Sequence, residues 1–401
     1  MPAAPLLIAI ASLAVSGSAF ATPAVPPPWR AWANDEARTL RVEAETARDA
    51  GNTGWVTEAE AAAATLVHEI DERYADQPEH AVDAKIVLAI SLARTKLLAS
   101  ASDIILDLRR IAPELPNHPE PLRRVLYAQG IVGLVAMQSG YNEPTRESQQ
   151  RAFDQGRRFI GDATRNPAMT GEHYDALMVQ WCVVEPVASA RETLVERLIQ
   201  HARETENDTT LLVTAFHGAV RAADRDTAAE RFGIAASTAR KLDRARDALM
   251  IELVEGLLLE PDRAELTDLA KEVSGQLIAD VQAAGDDQHA LRPPLALLTA
   301  FSGLLLRIDE DLAVRTAEDA LGLADIHLDA TASELNTIRL SHARVLRRVG
   351  RPLPDGYAGP DPDTHSINAT FGYQGTPPSP WNPRLRPVLT ADLVIVEADG
   401  P

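Results

Sequence analysis

Between about residue 32 and residue 350 the apolar positions recur at three- and four-residue spacings, the signature of amphipathic helices. The pattern predicts helices over 32–49, 80–101, 102–111, 122–139, 145–164, 209–224, 226–241, 247–259, 264–284, 295–308, 310–327 and 332–349. Two more lie within 172–205, joined near Pro186. Another starts at Thr57, where Glu60 three residues on completes a capping-box pattern, and runs toward Tyr74. Breaks fall at 51–54, in the proline-rich stretch 113–121 and at 140–142. No strand pattern interrupts this run.

Successive helices joined by short polar turns form antiparallel pairs, and stacked pairs make an all-α solenoid. A compact bundle or an α/α toroid satisfies the same periodicity. Aromatic residues make up only 4% of the chain, which favours helices packed closely through small side chains. Ala313, Ala317 and Ala320 lie at a four-then-three spacing, and Ala229, Gly233 and Ala236 repeat it. Such residues share one helix face and let a neighbouring backbone approach. Val213, Phe216 and Val220 supply the apolar face of a preceding helix, and 340–351 ends in a turn at Gly350. Over 210–245 and 295–350 these features resemble tetratricopeptide repeats, without the usual Trp and Tyr of the first helix or the closing Pro. The resemblance implies a superhelix with a concave groove that binds peptides or protein segments.

The first residues follow another rule. Residues 6–15 are an uninterrupted apolar run, too short to cross a bilayer as a helix. Ser16, Gly17 and Ser18 break it, and Ala19 and Ala21 place small residues before a cleavage point. Residues 1–21 therefore read as a secretory signal peptide cut after Ala21, although Met1–Pro5 carries no Lys or Arg. The expected layout is signal peptide 1–21, helical repeat domain 22–350 and tail 351–401. No cysteine for lipid attachment follows the apolar run, and no second stretch has spanning length. The mature chain is expected to be secreted or periplasmic, with no stable membrane insertion.

The tail holds ten of the 27 prolines and is expected to be irregular, with one short strand candidate at 391–397. A formal net charge of −19 argues against nucleic acid, whose binding needs phosphate neutralisation. The one cysteine, Cys182, lies among apolar neighbours and reads as an inert core residue. His68-Glu69 lacks the second histidine of a zinc-protease helix. Asp361, Asp363 and His365 alternate as metal ligands could, but a solvated turn is the ordinary explanation. No catalytic residue, cofactor or metal site is assigned. The chemistry points to an exported non-enzymatic scaffold with a protein or peptide partner. A secreted α/α-toroid enzyme acting on a polysaccharide is the alternative.

Overall fold

A computed structural model of the chain describes residues 28–354 and 357, apart from 117, 142, 144, 260–262, 286, 307 and 329–332. The expected signal peptide, the metal-ligand candidates Asp361, Asp363 and His365, and the tail strand lie outside these residues. The described chain is all-helical. Its helices are α1 (Pro28–Asp49), α2 (Trp55–Arg73), α3 (Pro78–Arg94), α4 (Leu98–Ile111), α5 (Glu120–Gly140), α6 (Arg146–Thr164) and α7 (Glu172–Val184). They continue as α8 (Ala188–Glu204), α9 (Asp208–Val220), α10 (Arg225–Lys241), α11 (Ala245–Leu259), α12 (Arg263–Ala284), α13 (Gln288–Leu305), α14 (Glu310–His327) and α15 (Ser333–Arg348). Two compact units divide between Glu185 and Pro186. Within each, neighbouring helices pack in antiparallel pairs, the arrangement of an α-solenoid. No helix among the described residues is long and apolar enough to cross a membrane.

One turn recurs. Gly51, Lys96, Glu206, Asp243 and Gly350 take left-handed φ values of 76°, 72°, 54°, 57° and 73°. After each, the next N–H reaches back to a carbonyl five residues earlier, as from Leu97 to Leu92 and from Asn207 to Ala202 (2.9 Å each). This is the Schellman ending, which satisfies carbonyls that the helix end leaves open. It closes α1 and α3 in the first unit, and α8, α10 and α15 in the second.

Several expected boundaries move for physical reasons. The stretch 80–101 is broken at Lys96 into α3 and α4. Thr57 is interior to α2, which begins at Trp55, and Gly54 precedes it without a side-chain cap. Asn52 organises that turn instead: its Oδ1 accepts from the Gly54 N–H at 2.8 Å and its amide donates to Glu58 at 3.0 Å. The helix expected at 295 begins at Gln288 and runs through Pro293 and Pro294. Fully buried Leu291 anchors this early start, and Asp287 Oδ1 accepts from the Ala290 N–H at 3.3 Å. The helix expected over 209–224 ends at Val220, because Asp224 turns out to cap α10, accepting from the Thr227 N–H at 2.8 Å.

In the first unit α5 is buried on nearly every side, with α3, α4, α6 and α7 around it. Its closest partner is α6. A Cβ on Gly133 would sit 2.8 Å from the Gly156 carbonyl oxygen, and one on Gly156 would sit 2.5 Å from that of Gly133. The two backbones touch because neither residue has a side chain. Gly156→Ala is therefore expected to destabilise this unit by about 1–3 kcal/mol through forced separation of the helices. The control is Gly233→Ala in α10, where nothing lies within 4 Å of the added methyl. It should gain up to about 1 kcal/mol of helix propensity. Urea unfolding of both variants checks the opposite signs.

Candidate functional site

The repeat-like segment of the second unit is built on α8, α9 and α10. Their apolar contact centres on Phe216 and Phe232, both fully buried, with ring centroids 6.1 Å apart in edge-to-face contact. Ala228, Ala235 and Ala239 flank Phe232 on the buried face of α10. Arg231 lies on the same helix and is only 4% exposed. Its guanidinium donates to the Gly218 carbonyl in α9 at 3.2 Å and pairs with Glu192 in α8 at 2.6 Å. One side chain thus fixes three helices. The planar, always charged guanidinium suits this role because its donors diverge toward two acceptors at once. Gly218 makes the room: a Cβ there would meet Val195 and the Arg231 stem.

His217 sits beside this lock, almost wholly buried, with its ring against Phe216. Desolvation pushes its pKa down to about 4, and the nearby charge of Arg221 adds to the shift. Near neutral pH the imidazole is therefore neutral. Thr214, on the same helix, buries its hydroxyl without a partner among the described residues.

A second ionic lock closes the first unit. Glu185, at the C-terminus of α7, is fully buried. Arg157 of α6 grips it with Nε at 3.0 Å and Nη2 at 2.5 Å, and the Trp181 indole N–H donates to it at 3.2 Å. The carboxylate holds the arginine pKa above its ordinary value. Burial shifts His173 downward in this unit and His342 downward in the other. A third lock joins α11 and α12. Asp247, 1% exposed, pairs with Arg244 at 2.6 Å and with Arg246, which also meets Asp280. These charges are spent on holding helices together.

The residues proposed for repeat packing are placed differently in the two stretches. Ala313, Ala317 and Ala320 of α14 are all buried, and Gly350 takes the left-handed turn after α15. In α10 the buried stripe runs one residue earlier than expected. Gly233 is exposed and Ala229 half-exposed, while Ala236 is buried at the edge of the face carrying Ala228, Phe232 and Ala235. Phe232 decides this, because turning the helix to bury Gly233 would expose a phenyl ring worth about 1.5–3 kcal/mol of burial. Cys182 is buried, as expected. No cluster of His, Cys, Asp or Glu able to hold a metal occurs among the described residues.

The sequence reading missed Arg231, Glu192, Arg157 and Glu185. Nothing local marks them in a chain with 58 acidic and 39 basic side chains. The Gly133–Gly156 contact did carry a signal, since glycines inside strong helical patterns usually have a packing reason. No family model matches the chain, and neither does any curated protein.

Proposed function

We propose that the chain is an exported, non-enzymatic helical-repeat scaffold that binds a protein or peptide segment. The observation that carries the reading is the packing of neighbouring helices in pairs within each unit, with one Schellman turn recurring after α1, α3, α8, α10 and α15. Helix pairs stacked on their neighbours are the build of a repeat array. The tetratricopeptide resemblance of 210–245 and 295–350 agrees with it, as do the ionic locks that stiffen successive helices. Stacked pairs expose a long surface for their size, which suits recognition of extended partners. That step is one of fold analogy, because fold alone does not fix function. Residues 1–21 supply the export signal in this reading.

The test uses the full chain, tagged at its C-terminus and recovered from the cell envelope or medium. N-terminal sequencing should begin at Thr22, and quantitative mass spectrometry should find a protein enriched at stoichiometric level. An exported chain that keeps Met1 would overturn the export reading. Depolymerisation of a panel of acidic and neutral polysaccharides by the pure protein would overturn the non-enzymatic one.

A further inference from the structure

The two ends of α7 are held by different chemistry. At the C-terminal end Arg157 and Trp181 grip Glu185, and the Tyr141 hydroxyl donates to the Val184 carbonyl at 3.0 Å. At the N-terminal end the helix leans on α5 through two side chains one turn apart. Leu177, fully buried, fills the notch left by Gly130, where a Cβ would collide with it. His173 lays its ring against Tyr127, edge to face, with centroids 5.0 Å apart. Tyr127 is thereby almost closed to solvent.

His173 stands where a positive charge is poorly tolerated. Its Nε2 is buried and finds no hydrogen-bond partner among the described residues. It is the second residue of α7, after the N-cap Gly171, so the positive end of the helix dipole lies at the ring. Two cations of α5 act on it. Arg123 donates to the Ala168 carbonyl at 3.2 Å and pairs with Glu120 at 2.5 Å. Arg124 pairs with Asp83 of α3 at 2.9 Å. The carboxylates of Glu120 and Glu172 pull the other way. Burial is the largest effect, and it holds the imidazole pKa below its ordinary value. A docked ring therefore resists a proton, and a proton resists docking.

We infer that the first two turns of α7, residues 172–178, are an acid-released latch: proton uptake by His173 lifts them from α5 while the Arg157–Glu185 end stays closed. Above pH 6.5 the imidazole is neutral whether the latch is docked or free, and docking is fully favoured. In the released position the ring returns to water and to its ordinary pKa of 6.5. As pH falls below that value the released form gains a proton that the docked form refuses, so its population grows. The far end does not follow, because a guanidinium keeps its charge throughout this range. Release uncovers Tyr127 and the Gly130 notch. The first unit then presents an apolar strip of α5 in acid that it keeps covered at neutral pH.

Amide hydrogen exchange of the full chain at pH 7.0 and pH 5.0, corrected for the intrinsic rate, reads the latch directly. Protection of residues 175–178 should fall by at least about threefold and at most about 30-fold, the limit for a docked ring that refuses the proton entirely down to pH 5.0. Residues 131–137 of α5 and 182–185 at the far end of α7 should keep their protection. His173→Phe keeps an aromatic ring against Tyr127 and should hold the same protection of 175–178 at both pH values. In His173→Gln that protection should also be independent of pH, whatever its level. A smaller fall than threefold in the unaltered chain would overturn the inference. So would an equal loss in 131–137 or 182–185, which would mean that the helix or the unit opens as a whole. A threefold fall that persists in either variant would place the proton elsewhere and overturn it too.

Discussion

Replacing Arg157 with alanine is expected to cost the first unit about 3–5 kcal/mol, the range for stranding one member of a buried ion pair. The physical reason lies in the asymmetry of the pair. Glu185 has no exposed side-chain surface, whereas the arginine side chain is a quarter exposed and also meets the more open Asp154. Removing the arginine therefore takes a two-bond cationic partner from the buried carboxylate, to which the Trp181 indole still donates. Removing an exposed partner such as Arg151, which meets Glu147 with about three-quarters of each side chain in solvent, should leave the midpoint unchanged. The measurement is urea unfolding followed by tryptophan fluorescence in a Trp381→Phe background. Trp29, Trp32, Trp55 and Trp181 then all report on the unit that ends at Glu185. Because the unfolded reference differs little between variants, the midpoint shift at constant slope reads the cost directly. Arg157→Met combined with Glu185→Leu should recover most of the loss, since an apolar pair of similar volume avoids desolvation altogether. A loss below 1 kcal/mol for the single variant would show that Glu185 does not depend on Arg157.

What the sequence discloses and what it hides separate along physical lines. Helix existence was legible because it rests on periodicity that one strand of text contains: Leu335, Ile338, Leu346 and their neighbours declare an apolar face at once. The turns at Gly51 and Gly350 were legible because glycine tolerates φ near +75°. The equivalent turns at Lys96, Glu206 and Asp243 were not. There the following helix and the six-residue hydrogen bond impose a left-handed conformation on residues with no preference for it, so the apolar periodicity of 80–101 runs straight through the break at Lys96. The small-residue stripe was legible in α14, where Ala313, Ala317 and Ala320 face no rival. It was misplaced in α10, where alanines lie on adjacent faces and Phe232 breaks the tie. The locks Arg157–Glu185 and Arg231–Glu192 join residues 28 and 39 positions apart, and pairing across such distances has no local trace.

Acid is expected to loosen the second unit through His217. The group has a folded-state pKa of about 4 against an ordinary value of 6.5. Above pH 6.5 the imidazole is neutral whether the chain is folded or not, and its contribution to stability is fully present. As pH falls below 6.5 the unfolded chain takes up a proton that the folded chain refuses, so stability drops by about 1.4 kcal/mol per pH unit. By pH 4 the loss approaches about 3 kcal/mol, and further acid adds little from this group. The cause is spatial: the ring is buried against Phe216 with the Arg221 charge close by, so an imidazolium there loses its hydration and meets a like charge. His342, shifted down by burial in the same unit, acts in the same direction. The discriminating measurement is the difference in unfolding free energy between pH 7 and pH 4.5, followed by amide exchange in α9. In His217→Gln that difference should shrink by about 2–3 kcal/mol, whatever the variant does to absolute stability at pH 7. His217→Phe should show the same reduction, which separates the proton from the packing. An unchanged pH dependence in both variants would place the acid-sensitive group elsewhere.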